Sequence, residues 1–377
     1  MGGNALKNCE TKRFISADFK VLEQQVMGIL STKFPERKLS SLISYRSKPD
    51  FGDLDILFEY YGREDVPFSP TTLKDIFNSK EVVYNGKHGD PRSPPDLAGG
   101  KVFSFEFNQL QVDLIPTLSE EFDTSSTYFA YNDLGNLMGR IAHKMGFKYG
   151  HKGLVYQFRT MEDHVTSEIV VSTDASKVFA LMGYDFSRWE KGFDKIEDVF
   201  EFVTSSKYFN KDIYLHHNRN HVSRTRDKKR KNYNLFLEWC KDKTFENNYP
   251  WPSMEERGGR KDVEEFMTEA FIQFSEFRTK FILEHDRLER IAVYKSNLNG
   301  EVIMEATGLR GVELGNFMDA LRALGDSSPV KDLISMIEVL DHASVIPEFI
   351  LKQFEIFKQK KEKVQHGQAE EPVNSGV

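Results

Sequence analysis

The sequence predicts an α+β fold: a mixed β-sheet with flanking helices, followed by a mostly helical C-terminal region. Two patterns carry that expectation. Between about residues 40 and 115, short apolar runs alternate with a period of two, as strands do. From about residue 175 onward the apolar residues recur at three- and four-residue spacing, as on the buried face of helices. At 377 residues and 39% apolar composition the chain has the length to bury a large core in two or three domains.

The elements follow in order. After Ser16, read as an N-cap, Phe19, Leu22, Val26, Ile29 and Leu30 keep helical spacing. Strands are expected at Ser41–Tyr45 and Phe51–Tyr60. A short helix fits Leu73 to Phe77, and Tyr84 to Pro91 reads as loop. Val102–Phe107, a turn at Asn108-Gln109 and Leu110–Ile115 make a hairpin. In its second strand Leu110, Val112 and Leu114 share one face, and Gln111, Asp113 and Ile115 the other. A helix capped by Asn132 runs to Met145. Short helical stripes at 196–203 and 233–240 precede a Pro- and Gly-containing loop at 244–260. One long helix is expected over 261–290, with further helices after Ser328-Pro329 and after Pro347, and a disordered tail from about Lys358. The resulting division is 1–170 (sheet domain), 171–255 (helical region), 256–360 (C-terminal helical domain) and 361–377 (tail).

No run of about 18 apolar residues exists, so no membrane span is expected. The N-terminus lacks the apolar region of a signal peptide, and Leu6 stands where myristoylation needs Ser or Thr. Cys9 and Cys240 are too distant to frame a disulfide-stapled domain, which fits a reducing, intracellular (cytoplasmic) location. The His residues lack zinc-site spacing. With a net charge of −7, a nucleic-acid surface has to be local.

Asp53 and Asp55 interrupt an apolar strand and project from one face. Two bare carboxylates there repel each other and are costly to bury; a divalent cation removes the cost. Asp113 interrupts a second strand in the same way. Three carboxylates from adjacent strands would hold two hard cations about 3.5–4 Å apart, a layout suited to nucleotidyl transfer.

The stretch 44–60, with Gly52-Asp53-Leu54-Asp55, followed by Val112-Asp113-Leu114, resembles the nucleotidyltransferase superfamily that includes DNA polymerase beta. The resemblance implies a nucleotidyltransferase-type sheet and a metal-binding triad of Asp53, Asp55 and Asp113 for two Mg²⁺ (or Mn²⁺) ions. It also implies that Asp113 helps deprotonate the attacking hydroxyl. Ile43-Ser44 stands where the family has the Gly-Ser pair that grips the triphosphate, so Ser44, Arg46 and Gly52 are the expected phosphate contacts. The segment Tyr128 to Asn132, with Asp133, Asn136 and Arg140 on one helical face, is similar to the family's nucleotide-contacting segment. Tyr131 replaces its usual glycine.

A local basic run holds Arg224, Arg226, Lys228, Lys229, Arg230 and Lys231 against the single acid Asp227. It fits a nucleic-acid backbone or a triphosphate, and equally a solvated face or a nuclear localisation signal. Residues 298–315 resemble a helix–glycine turn–helix unit near the C-terminus of CCA-adding enzymes and poly(A) polymerases. The reading that results is a transfer of a nucleoside monophosphate from a nucleoside triphosphate to a nucleic-acid 3′ hydroxyl, RNA favoured over DNA. A beta-type DNA polymerase, a transferase acting on a protein or small molecule, and a catalytically dead nucleic-acid-binding fold stay open.

Overall fold

The computed structural model describes residues 5–61, 68–85, 102–160, 163–253, 263–324 and 342–365. The chain divides into two compact units, Met1–Arg278 and Thr279–Val377. The sequence placed its breaks near 170, 255 and 360 instead.

The first unit opens with β1 (Phe14–Ile15) and α1 (Ser16–Lys33). Ser16 is the first helical residue, not the cap, which is Ile15 without a side-chain bond; the Ser16 N–H donates to the Pro49 carbonyl at 3.2 Å. There follow β2 (Leu39–Ser41), β3 (Asp50–Phe51), β4 (Asp53–Tyr60), α2 (Pro70–Phe77), β5 (Val82–Asn85), β6 (Val102–Phe107) and β7 (Leu110–Leu118). The expected strand at 41–45 therefore lies earlier, and Tyr84 and Asn85 are strand, with 86–91 outside the described residues.

Five strands form one mixed sheet in the order β2-β4-β7-β6-β5, with β4 and β7 parallel and the other neighbours antiparallel. The β6–β7 hairpin closes through Asn108 and Gln109 at φ 49° and 67°, the left-handed pair a tight two-residue hairpin turn requires. Leu54, Ile56 and Phe58 of β4 and Leu110, Val112 and Leu114 of β7 pack with Phe19, Leu22, Val26 and Leu30 of α1. The period of two then sends Asp53, Asp55, Gln111 and Asp113 to the opposite face. Burying each large apolar side chain contributes about 1.5–3 kcal/mol, so a one-residue register slip, which would exchange the faces, is strongly opposed.

Helices α3 (Phe122–Phe129) and α4 (Leu134–Met145) come next, then a three-stranded antiparallel sheet of β8 (Phe147–Gly150), β9 (Gly153–Arg159) and β10 (Val165–Ser172). α4 buries Leu134, Leu137, Met138, Ile141 and Met145, as its spacing predicts, but is capped at Asp133. The remaining helices are α5 (Ala175–Leu181), α6 (Phe186–Lys191), α7 (Ile196–Thr204), α8 (His221–Lys228), α9 (Lys231–Cys240), α10 (Glu264–Gln273) and the start of α11 (Ser275–Asn297). The single helix expected over 261–290 is two, because Phe274 leaves helical geometry (φ −124°, ψ 79°). Apolar spacing runs through the break undisturbed, so the sequence pattern does not reveal it.

In the second unit, α12 (Gly300–Thr307) is capped by Asn299, whose Oδ1 accepts from the N–H groups of Glu301 and Val302. Gly308 at φ 71° ends it, and α13 (Gly311–Ala323) follows, giving the expected helix–glycine turn–helix. The helix predicted after Ser328-Pro329 lies outside the described residues. α14 (His342–Gln365) contains Pro347 and continues past Lys358, so the expected tail is helical as far as Gln365. Ile303, Phe317, Leu321, Val345, Ile346 and Ile350 form the core of this unit. Among the described residues no helix is long and apolar enough to cross a membrane.

Candidate active site: an acid triad beside a basic cleft

The parallel ladder sets Asp55 beside Asp113 and Asp53 beside Gln111. One carboxylate oxygen each from Asp53, Asp55 and Asp113 lie within 4.8 Å of one another, and all three residues are half-buried. Burial pushes the Asp55 carboxyl up to about 8, with the charges of Asp53 and Asp113 adding to the shift and Lys48 opposing it. Asp113 is also raised, first by burial and then by Asp53, while the hydrogen bonds from Gln111 pull the other way. Hard oxygen donors gathered at such a cost fit a hard divalent cation, Mg²⁺ or Mn²⁺.

Gln111 is a member of this site that the sequence reading did not single out. It is 2% exposed. Its Nε2 donates to Asp113 Oδ1 at 2.9 Å and Oδ2 at 3.0 Å, and its Oε1 accepts from the Ala5 N–H at 2.9 Å. The Ala5 donor fixes which way the amide points, and the amide in turn fixes the carboxylate. The available signal was position: Gln111 stands two residues before Asp113 on the same strand face.

Lys48 is the nearest supporting cation. Burial lowers its pKa, while Asp53 and Asp55 hold it up. Its Nζ lies 4.3 Å from the centre of the Phe51 ring and donates to Ser44 Oγ at 3.3 Å; Ser44 Oγ donates to Asn132 Oδ1 at 3.1 Å. Tyr131 and Asn132 both take left-handed backbone, at φ 54° and 64°. Tyr131 thus keeps a conformation that favours glycine without being one. Its N–H donates to the Ile43 carbonyl at 2.8 Å, and its ring meets Phe193 and Trp189 edge-on.

Asp53, Asp55 and Gly52 line a cleft of ≈1380 Å³ together with Lys48, Asn132, Asp133, Arg226, Lys229, Arg230 and Lys231. The basic segment is organised from below. Asp227 is fully buried and pairs with Arg219 at 2.6 Å and Arg226 at 3.2 Å. α9 buries Tyr233, Phe236 and Cys240. The acid that looked like a lone counter-charge in the run is therefore its anchor.

The expected nucleotide contacts divide among different places. Gly52, Asn132 and Asp133 share the cleft with Asp53 and Asp55. Tyr128, Asn136 and Arg140 line a second cleft of ≈600 Å³ instead. Ser44 lines neither cleft and acts by holding Asn132 and Lys48. Arg46 also lines neither: it pairs with Asp194 at 2.7 Å and donates to the Lys191 carbonyl. Arg140 is buried, with Nε and Nη2 on the Ile213 carbonyl at 3.2 and 3.0 Å. Asn136 accepts from Arg226 at 3.3 Å, and Asp133 pairs with Arg230. The polar face of α4 is thus engaged by this chain's own residues 213–230. Of the basic run, Arg224 and Lys228 line neither cleft.

Close approach at α4 has a clear local cause. A Cβ on Gly135 would lie 2.2 Å from the Tyr128 carbonyl oxygen, so the end of α3 reaches α4 only over a glycine. Compared with known proteins, the chain matches no family model and no curated protein.

Proposed function

We propose that this chain is a divalent-cation-dependent nucleotidyltransferase, moving a nucleoside monophosphate from a nucleoside triphosphate to a nucleic-acid 3′ hydroxyl. One observation carries the reading: the parallel β4–β7 register brings three carboxylates within 4.8 Å of one another, beside a cleft that also holds Arg226, Lys229, Arg230 and Lys231. Acids and bases in one cleft suit a substrate that is itself polyanionic and needs both a cation site and direct charge contacts.

Asp53, Asp55 and Asp113 would hold two Mg²⁺ or Mn²⁺ ions. Such ions, when bound, lower the pKa of an attacking hydroxyl and neutralise charge on the triphosphate. The 3′ oxygen forms its bond to the α-phosphorus as the bond from that phosphorus to the bridging oxygen breaks and pyrophosphate leaves. Asp113, oriented by Gln111, would take the hydroxyl proton. Lys48 and the cleft residues of the basic segment bind phosphate oxygens; Asn132 and Asp133 lie on the same wall. RNA is the favoured acceptor, on the C-terminal likeness to CCA-adding and poly(A) polymerases. The proposed location is intracellular, with the basic run also suited to a nuclear localisation signal.

A dead, purely binding fold has no use for a raised, mutually repelling carboxylate cluster, which favours the catalytic reading over it. The test is incorporation of labelled nucleoside triphosphates onto a panel of RNA and DNA primers with Mg²⁺ or Mn²⁺. Incorporation is expected on at least one primer and is abolished by chelation and by Asp55→Asn. Incorporation that survives Asp55→Asn and Asp113→Asn contradicts the mechanism, and RNA binding without transfer on any primer favours the dead fold.

A further inference from the structure

The second cleft has a charge pattern that the transfer reaction as described leaves unused. Lys148, Arg159 and Arg226 are exposed on it, Arg219 forms part of its wall, and Asp163 is the one acidic residue among those lining it. Lys148 pairs with Glu168 at 3.1 Å and Arg159 with Asp163 at 2.9 Å; these pairs are solvent-accessible and weak, so a phosphate competes with their acids. Arg219 is different. Its side chain is 2% exposed, its Nη2 is on Asp227, and its Nε and Nη1 have no acceptor among the described residues. The Nδ2 of Asn136, in the same wall, has none either. Buried donors left unanswered keep positive potential in the wall, which favours a ligand rich in acceptor oxygens in the cleft. Half-buried Tyr156 adds an aromatic group to the lining.

We propose that this cleft takes the phosphodiester backbone of a single-stranded acceptor, upstream of its 3′ end. The proposal rests on the transfer reading for the direction of the strand. Arg226 lines both clefts and is the point at which a strand passes from one to the other. A positive groove with interleaved aromatics suits single strands.

The test is fluorescence anisotropy of the full chain with labelled single-stranded RNA of two and of eight nucleotides, in Ca²⁺ to prevent turnover. With Lys148→Glu and Arg159→Glu combined, affinity for the eight-mer is expected to fall at least about tenfold. Its salt dependence should become shallower by about 1.4 in log–log slope, roughly 0.7 for each of two lost phosphate contacts. The two-mer, too short to leave the first cleft, should bind as before. An unchanged eight-mer affinity or salt slope, or an equal loss for the two-mer, overturns the proposal. The Lys148→Gln, Arg159→Gln pair is read the same way with a smaller loss, and answers the question if the Glu pair does not fold. An eight-base-pair duplex binding as tightly as the single strand overturns the strandedness. Mn²⁺ affinity of the double variant reads the acid site separately. A chain that transfers nothing yet loses the eight-mer on substitution refutes the transfer reading and leaves the second cleft standing as a nucleic-acid site.

Discussion

The acid strands and the basic segment bring opposite charges to one cleft, and the protein holds them in opposite ways. Asp53, Asp55 and Asp113 are placed by a β-ladder whose other face is core, and Gln111 fixes one of them from behind. Burial, with the neighbouring Asp53 and Asp113 charges adding to it, raises Asp55 to about 8. The cations are placed by side-chain pairs: Arg219 and Arg226 on Asp227, Arg226 on Asn136, Arg230 on Asp133. The difference teaches which charges wait for a ligand. The acids repel one another, a cost that a cation removes, whereas Arg226 and Arg230 already have partners that a phosphate must outcompete.

The sharpest way to break this comparison is at Asp55. Asp55→Asn is expected to lower nucleotide incorporation on the order of 10³-fold, from lost cation binding. The metal-free protein should be no less stable in urea, because the Asn amide is neutral without taking up the proton that the buried Asp55 carboxyl needs. A variant that loses stability and keeps activity would reverse the roles assigned here. Asp227→Ala tests the other side. Removing one partner of a buried ion pair costs about 3–5 kcal/mol, so its urea midpoint should fall far below that of the wild type. A small shift would show that the basic segment is not anchored there.

Gln111→Leu sits between these extremes. It keeps the three acids and frees Asp113 to turn, and a loss of about 10- to 100-fold in Mn²⁺ affinity and incorporation is expected. Urea unfolding serves as the control for the lost Ala5 contact. Full Mn²⁺ affinity in this variant would make Gln111 merely structural.

Acidity sharpens the same contrast. The folded Asp55 carboxyl titrates above its unfolded value, so the native state holds a proton that the unfolded chain has released. In metal-free buffer, stability is therefore expected to fall as pH rises from about 4, the unfolded carboxyl range, towards about 8. Saturating Mg²⁺ should flatten that slope, and unfolding curves at several pH values with and without the ion check it. The smallest effect is expected at Arg46. Its pair with Asp194 is exposed, so Arg46→Ala should change stability by no more than about 1 kcal/mol and leave the KM for nucleoside triphosphate unchanged. A raised KM would return Arg46 to the triphosphate.

The legible parts of this molecule are those governed by a simple period. Strand alternation placed the three acids on one face, and the β6–β7 hairpin and the apolar face of α4 followed from spacing alone. What spacing does not carry was missed. The parallel pairing of β4 with β7 joins segments more than fifty residues apart. The left-handed Tyr131 lacks the glycine that would mark it. Phe274 breaks a helix without breaking its apolar rhythm. The polar residues of α4 were the costliest miss: what meets Asp133, Asn136 and Arg140 is Arg230, Arg226 and the Ile213 carbonyl, 97, 90 and 73 positions away.

The central claim is that Asp53, Asp55 and Asp113 form a divalent-cation site, and calorimetric titration of Mn²⁺ into the wild type, Asp55→Asn and Gln111→Leu tests it most directly. The expected result is saturable binding by the wild type, a weaker but measurable isotherm for Gln111→Leu and loss of that isotherm in Asp55→Asn. The same isotherm in all three proteins would contradict it.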